Sequence, residues 1–157
     1  MTDIVLATTL EVVKAEFVEL LTASTDLIDV EVTYGHPGNE LANEAIWIGE
    51  TSNWEHQFIT IGNSSKLEET YDLAVRFLAA EGGQDAQTSD HRVLELFSVA
   101  SWIVRDTRNF MDLRTGEVPE GQLLSVLLTP DALNPYFNPP EGRVAGINAV
   151  LRVKASI

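Results

Sequence analysis

The stretch KLEETYDLAVRFLA, residues 66–79, is the longest strand candidate in the chain and decides the fold class. Apolar and polar side chains alternate along it, which separates two faces of an extended strand. One face would carry Tyr71, Leu73, Val75, Phe77 and Ala79, and the other Thr70, Asp72, Ala74 and Arg76. A helix is the alternative, because Leu, Ala and Glu favour helices. The regular period of two nevertheless favours a strand.

Further strands are predicted on both sides of this stretch. Five segments have the length and composition of strands: LIDVEVTYG (27–35), AIWIGE (45–50), EHQFITIG (55–62), LLSVLLT (123–129) and RVAGINAVLRVKASI (143–157). Phe58, in the third of these, is a candidate core residue. The first two are separated by a loop that begins with Gly35, Pro37 and Gly38, residue types that interrupt regular structure.

Two amphipathic helices complete the predicted fold. The first starts at Thr8-x-x-Glu11, which has the spacing of a capping box, and continues to about Ala23. The second runs from Thr88 or Ser89 to Asp106 and has a wide apolar face, as expected for a helix laid across a sheet. The sequence therefore predicts an α+β fold of order αββββαββ. Its mostly antiparallel sheet has four to six strands, and the two main helices pack on one face.

Size and charge limit the classes of function. A chain of 157 residues with 45% hydrophobic content fits one globular domain, residues 1–157. Residues 1–90 hold 17 Asp/Glu and 3 Lys/Arg, so the whole net charge of −14 falls in that part. Binding to nucleic acid needs clustered Lys and Arg residues to neutralise phosphates. The sequence shows no such cluster, which argues against a nucleic-acid-binding function. The lack of a long apolar run argues against a membrane span. The N-terminus has neither a basic start nor a long apolar block, which argues against a signal peptide.

No motif of covalent chemistry or cofactor binding stands out. Cys is absent, which removes thiol chemistry and makes a structural zinc site improbable. His36, His56 and His91 do not have the spacing of metal-binding helices. The GHPG turn leads into a strand rather than a helix N-terminus, so it does not resemble a phosphate-binding loop. The serines show no nucleophile-elbow context. The sequence predicts no catalytic, cofactor-binding or metal-binding residue.

Aromatic residues suggest protein contacts instead. Trp47 lies in a predicted edge strand, Trp54 in a predicted turn, and Tyr136 and Phe137 in a proline-rich loop. Aromatic side chains are enriched at the centres of protein interfaces. These four are the candidate contacts with another subunit or partner, with local packing as the alternative. Trp102, on the apolar second helix, is predicted to be a core residue.

Four motifs taken in order resemble a known family. They are VTYGHPG (32–38), AIWIGE (45–50), EETYDLAV (68–75) and the closing EGRVAGINAVLRVKA (141–155). In this order, and spanning residues 8–157, the chain resembles the tail-terminator (tail-completion) proteins of long-tailed bacteriophages. The NPYFNPP segment is longer than expected for that family.

The resemblance implies a structural role in the virion and no enzymatic activity. Such proteins form a ring, usually a hexamer, at the head-proximal end of the tail. The ring stops addition of the major tail tube protein and then receives the head connector or stopper protein. DNA passes through its centre without specific binding. The alternatives are a head–tail connector or another neck or tail-completion protein, and, in a different class, a small acidic enzyme or binding module.

An acidic channel would repel the phosphates of passing DNA. We therefore expect some of the carboxylates in the acidic part of the chain to face the lumen of such a ring. The candidates are Glu40, Glu44, Glu50, Glu55, Glu68, Glu69 and Asp72.

Overall fold

The described part of the chain folds into three α-helices and five strands. The computed structural model describes residues 4–38, 43–62, 64–81, 86–134 and 143–157. The elements are α1 (Leu10–Ala23), β1 (Glu31–Thr33), β2 (Glu44–Ile61), β3 (Ser64–Glu81), α2 (Ala86–Arg105), α3 (Met111–Thr115), β4 (Gln122–Leu133) and β5 (Arg143–Ser156). A 3-10 turn at Thr25–Leu27 follows α1.

The five strands form one mixed sheet in the order β1-β2-β3-β5-β4. Neighbouring strands are antiparallel except β1 and β2, which are parallel. The main helices α1 and α2 pack on one side of this sheet, which we call the inner face, and the opposite side is the outer face. The predicted α+β class, with a mostly antiparallel sheet and two main helices on one face, is confirmed.

β3 is the centre of the hydrophobic core. Its predicted apolar face is buried from Tyr71 to Ala79, with at most 1% of each of those side chains exposed. The matching face of β5 is also buried, and the two strands stay in continuous register. Each fully buried Leu, Val or Phe side chain contributes about 1.5–3 kcal/mol of transfer free energy. The period-two pattern of 66–79 therefore determines which side of the sheet the helices cover.

α2 covers this core with the apolar face expected from its sequence. Val93, Leu96 and Ala100 are fully buried, and the Phe97 ring meets the Phe77 ring edge-on at 5.7 Å between centroids. At the N-terminal end of the helix, Arg92 donates to the Glu44 carboxylate of β2 at 2.7 Å. Apolar packing and one ion pair thus hold α2 to the sheet.

β2 is one strand of 18 residues where the sequence predicted two shorter ones. Its pairing with β3 shifts between Ile48 and Thr51 and again between Ser52 and Glu55. A bulge inserts extra residues in one strand without ending the ladder. Asn53 has φ 51°, in the left-handed region that Asn tolerates better than most residues. The polar residues predicted as a turn are therefore the second bulge.

The strand predicted at 27–35 was mostly wrong. Leu27 is buried as the last residue of the 3-10 turn, whereas Ile28 is 79% exposed. Only Glu31–Thr33 pairs with β2. Burial of Leu27 by a turn breaks the alternation that suggested a longer strand. α3 was not predicted, because five residues are too few to establish a helical period.

The predicted capping box at Thr8 and Glu11 was also wrong. The N-cap residue of α1 is Thr9, and its side chain makes no capping hydrogen bond. The Thr9 hydroxyl instead donates to the Glu69 carboxylate of β3 at 2.9 Å. The Thr8 hydroxyl accepts from the Leu10 N–H at 3.1 Å. A long-range contact has replaced the local cap.

Gly121, just before β4, should not tolerate a side chain. Its φ is 150°, and a Cβ would lie 2.6 Å from the Ser156 carbonyl oxygen and 2.9 Å from Thr9 Cγ2. We expect Gly121→Ala to lower the free energy of unfolding by about 2–4 kcal/mol, measured by urea denaturation. Gly35→Ala is the control, because nothing lies within 4 Å of a Cβ there. Equal stability of the two variants would contradict the expectation.

Candidate subunit interface

Glu69 joins three separate parts of the chain on the inner face of the sheet. Its side chain is fully buried. The backbone N–H of Thr9 donates to Glu69 Oε1 at 2.8 Å, as does the Thr9 hydroxyl at 2.9 Å. The indole N–H of Trp54 meets Glu69 Oε2 at 2.9 Å, and Nε2 of His56 lies 3.0 Å from the same oxygen. One carboxylate therefore fixes the start of α1 and the second bulge of β2 against β3.

The donors around Glu69 stabilise its charged form. Burial alone would raise the pKa of this carboxyl, but hydrogen bonds from the Thr8 and Thr9 side of the cluster and from Trp54 and His56 outweigh it and lower the pKa. The Thr9 hydroxyl also lies 3.0 Å from the Tyr71 hydroxyl. Since Thr9 donates its only hydroxyl proton to Glu69, Tyr71 must be the donor of that second bond. Burial raises the pKa of Tyr71, so it keeps the proton needed for this role.

Exposed aromatic side chains lie in and beside the Glu69 network. The Trp54 indole remains 54% exposed although its N–H is bonded to Glu69. Farther along the hairpin, β2 and β3 extend beyond the pairing of β3 with β5, which begins at Glu68. Phe58 lies in this projecting part and is 75% exposed, so its prediction as a core residue was wrong. The hairpin thus carries two exposed aromatic rings.

The other predicted aromatic contacts have different surroundings. Trp47 is half-buried and meets the His36 ring at 5.4 Å between centroids. Trp102 was predicted as core but is 67% exposed on α2, where the Arg105 guanidinium lies over its ring. The periodic apolar face of α2 was correctly placed, but Trp102 falls just outside it. Tyr136 and Phe137 lie outside the described residues.

Four of the predicted lumen carboxylates share the outer face of the sheet. Glu50 is paired with Arg76 at 3.0 Å, and Glu68 with Lys154 at 3.3 Å. Asp72 is paired with Arg152 at 3.0 Å. Glu55 is exposed on the same face, in register with Thr70. This face is therefore polar, and cations offset much of its negative charge.

Asp72 is the most firmly held of these outer-face carboxylates. Besides Arg152 it accepts a hydrogen bond from the Asn53 side-chain amide at 2.8 Å. Burial by itself would raise the pKa of Asp72, but these bonds and the charge of Arg152 lower it. The contact fixes the second bulge of β2 from the outer side, as Glu69 does from the inner side.

The remaining lumen candidates do not join this group. Glu44 lies on the inner face and pairs with Arg92, and Glu69 is buried in the network described above. Glu40 lies outside the described residues. An acidic lumen stays a prediction, and the outer face is the surface that gathers most of its candidates.

The open edge of β2 lies beyond the segment predicted for it. Residues Ala45–Trp47, within the predicted edge strand AIWIG, are covered by β1. From residue 48 to 61, no strand of the described chain pairs with β2 on that side. Within the described residues, the open part of β2 is therefore its bulged part and the projecting hairpin, and a contact of Trp47 with another subunit stays a prediction.

Neither a metal centre nor a membrane helix is found in the described part of the chain. No group of three or more His, Asp or Glu residues there is arranged to hold a metal ion. The helices of that part are too short or too polar to cross a membrane.

Comparison with known proteins shows a shared fold. No protein-family model matches the chain, and no curated protein matches its sequence. The structure is similar to a chain of a solved structure titled "Virion of native gene transfer agent (GTA) particle", with a TM-score of 0.57. The match covers 92% of this chain and 94% of that chain, at 11% sequence identity. At this identity the likeness shows the fold alone, but it extends over nearly the whole of both chains.

Replacing Glu69 by Gln should destabilise the protein most at neutral pH. The Gln amide group would face either the Trp54 and His56 side or the Thr9 donors, so donors would oppose donors. We expect a loss of about 2–4 kcal/mol in the free energy of unfolding. Because folding lowers the pKa of Glu69, its contribution is complete above about pH 4.5 and is lost as pH falls through the folded-state value. The difference between wild type and variant should therefore shrink in acid.

Urea denaturation across this pH range measures the effect. Glu68→Gln is the matched control, because Glu68 is next to Glu69 in the chain and its carboxylate pairs with the half-exposed Lys154. This substitution should lower the free energy of unfolding by less than about 1 kcal/mol. A Glu69→Gln loss that does not change with pH would show that the charge of Glu69 is not what the network requires.

Proposed function

We propose that this protein is a structural component of a virion, a ring-forming tail terminator that caps the head-proximal end of a phage tail tube. The observation that carries the proposal is the fold likeness to a chain of a virion particle, which covers 92% of one chain and 94% of the other. The order of the motifs from VTYGHPG to the terminal EGRVAGINAVLRVKA supports the narrower assignment to a terminator.

The proposed role consists of three contacts without covalent chemistry. Copies of the chain bind each other in a ring, usually a hexamer in the family it resembles. The ring binds the last layer of the major tail tube protein and stops its growth. Its other side then receives the head connector or stopper protein. DNA passes through the centre without specific binding, past a wall for which the outer face of the sheet is our candidate.

The histidines are engaged in ways that suit a structural role. His56 contacts buried Glu69, and His91 pairs with Glu95 of the same helix at 2.8 Å. Nδ1 of His36 accepts a hydrogen bond from the Gly38 N–H at 3.0 Å, next to Trp47. Each ring thus has a local partner in the fold.

Tube growth provides the test. Tail tubes polymerised from the major tail tube protein of the same virus should become shorter as this protein is added, at far less than one copy per tube subunit. The reason is that a terminator acts only on tube ends. Negative-stain electron microscopy measures tube length and should show an additional ring at one end.

Three other outcomes would change the assignment. Tubes of unchanged length, together with binding to emptied heads, would identify a head–tail connector or neck protein instead. A protein that stays monomeric and binds neither tubes nor heads would contradict a role in the virion. Turnover of a small molecule that is lost on His36→Ala or His56→Ala would point to an enzyme.

A further inference from the structure

The sheet has two open edges, on opposite sides. Within the described residues, β2 has no neighbouring strand beyond Trp47 on the side away from β3. Among the strands that the structure describes, β4 is the last on the other side and pairs only with β5. Unpaired backbone N–H and C=O groups along an edge form a template for another strand. Each edge therefore offers hydrogen bonds that a second chain can complete.

Strand direction makes these two edges complementary to each other. β2, β3, β5 and β4 are successively antiparallel, so β2 and β5 run one way while β3 and β4 run the other. When β4 of one copy lies beside β2 of the next, with the helices of both on the same side, the new pair is also antiparallel. The alternation then continues from one subunit to the next, with the hydrogen-bond pattern of an ordinary antiparallel ladder.

The register also brings the two edges to the same level. Two rows of outer-face residues cross the sheet from β2 to β4: Ser52, Asp72, Arg152, Leu127 and Glu55, Thr70, Lys154, Ser125. The two ends of each row lie on one face, so side chains of one edge can meet those of the other in a neighbouring copy. When a curved sheet closes, neighbouring strands are staggered along one another. The stagger changes which residue lies opposite a given position but keeps both residues on the same face of the sheet.

The composition of the edges favours unlike pairing. The open part of β2 carries Glu50 and Glu55, so two β2 edges together would bring carboxylates close to each other. β4 has Asp131 as its only charged residue and exposes Leu124 and Leu127. Residues 122–130 of β4 are uncharged and can therefore receive the acidic, aromatic edge of β2 without like-charge repulsion.

Bulges limit how far such pairing can extend. Shifts in register interrupt β2 before Glu55 and β4 on either side of residues 125–130. The uninterrupted stretches are residues 55–61 of β2 and 125–130 of β4, and the latter ends at Pro130. Bulges and edge prolines hinder open-ended strand addition. At the level register these two stretches share only the pair Glu55 and Ser125, whereas a stagger that sets Gln57 opposite Leu127 aligns residues 55–59 with 125–129. In that staggered register, a short regular stretch on each edge suits one defined neighbour.

We propose that the β4 edge of one copy pairs with the β2 edge of the next, so that the sheets of neighbouring subunits join in the ring. This contact is heterologous, which is the kind that closes into a ring when it repeats. The inference rests on the proposed function for the existence of the ring and specifies the surfaces that form it. The outer faces of the joined sheets then form one continuous wall.

Cysteine cross-linking tests the pairing directly, because the chain contains no native Cys. The double variants Ser52→Cys/Leu127→Cys and Gln57→Cys/Leu127→Cys sample a level and a staggered register on one face. Cβ atoms of directly opposed residues are about 4.5–5.5 Å apart, within reach of a short bis-methanethiosulfonate, which forms a mixed disulfide with each Cys and releases two sulfinate leaving groups. In the presence of tail tubes, at least one double variant should give covalent dimers, trimers and a final closed species on denaturing gels.

Single variants distinguish this arrangement from symmetric pairing. Each single variant should remain uncross-linked, and so should Ser98→Cys/Leu127→Cys, in which Ser98 is exposed on α2. Cross-linking by Ser52→Cys or Leu127→Cys alone would show like edges in contact and would overturn the proposal. Rings seen at tube ends without any cross-linked double variant would overturn it while leaving the proposed function intact. Absence of rings would contradict both.

An exposed aromatic residue on the β2 edge gives an independent measurement. Phe58→Ala should weaken ring assembly about tenfold, since a large aromatic side chain is lost from the centre of the contact. Ile28→Ala is the matched control, with 79% exposure against 75% for Phe58 but a position outside both edges. Equal assembly of the two variants, with unchanged thermal unfolding, would count against the β2 edge.

Discussion

Burial of one face of β3 is the constraint on which the rest of the structure depends. Its apolar residues from Tyr71 to Ala79 have to be removed from water, and they alternate with polar ones that have to remain in it. That requirement assigns α1 and α2 to the inner face and leaves the outer face to ion pairs. It also fixes the register, because a slip of one residue would exchange the two faces. The positions of the other strands follow from pairing with this one.

The row of apolar residues on the inner face ends in a carboxylate. Glu69 occupies the position before Tyr71 on that face and is satisfied by donors from α1 and β2. A buried charge without partners is costly, so the network has to form as a unit. Together with Asp72 on the opposite side, it holds the second bulge of β2 from both faces. Glu69 and Asp72, on opposite faces of β3, therefore both help to fix the bulged part of the open β2 edge.

The surfaces left free by this arrangement suit the building block of a ring that we propose. One side of the sheet carries helices, and the other carries paired charges. The edges are open but bulged, and the projecting hairpin carries Trp54 and Phe58. In the ring that we propose, a protomer joined through its edges would keep both faces available, one for the exterior and one for the channel. The fold itself is shared with a chain of a virion particle, over 92% of this chain and 94% of that chain. If the outer face lines the proposed channel, its ion pairs predict a polar wall with less net charge than the sequence alone suggests.

The sequence by itself determined the elements whose pattern is long and regular. The alternation of 66–79 and 143–157 and the apolar stripe of α2 predicted two central strands, the covering helix and the α+β class. Short patterns were less informative, because the conformation of their residues depends on contacts with residues far away in the chain. The Thr9 hydroxyl donates to Glu69 instead of capping its own helix, and Leu27 is buried as part of the 3-10 turn. Residues 51–54 continue a ladder as a bulge, because the β3 side chains Asp72 and Glu69 bind Asn53 and Trp54.

Only the tertiary structure decided which carboxylates are buried or paired, and which edges of the sheet stay open. Those properties depend on which strands become neighbours. Pairing between residues far apart in the chain produces no repeating pattern that could be recognised in the sequence.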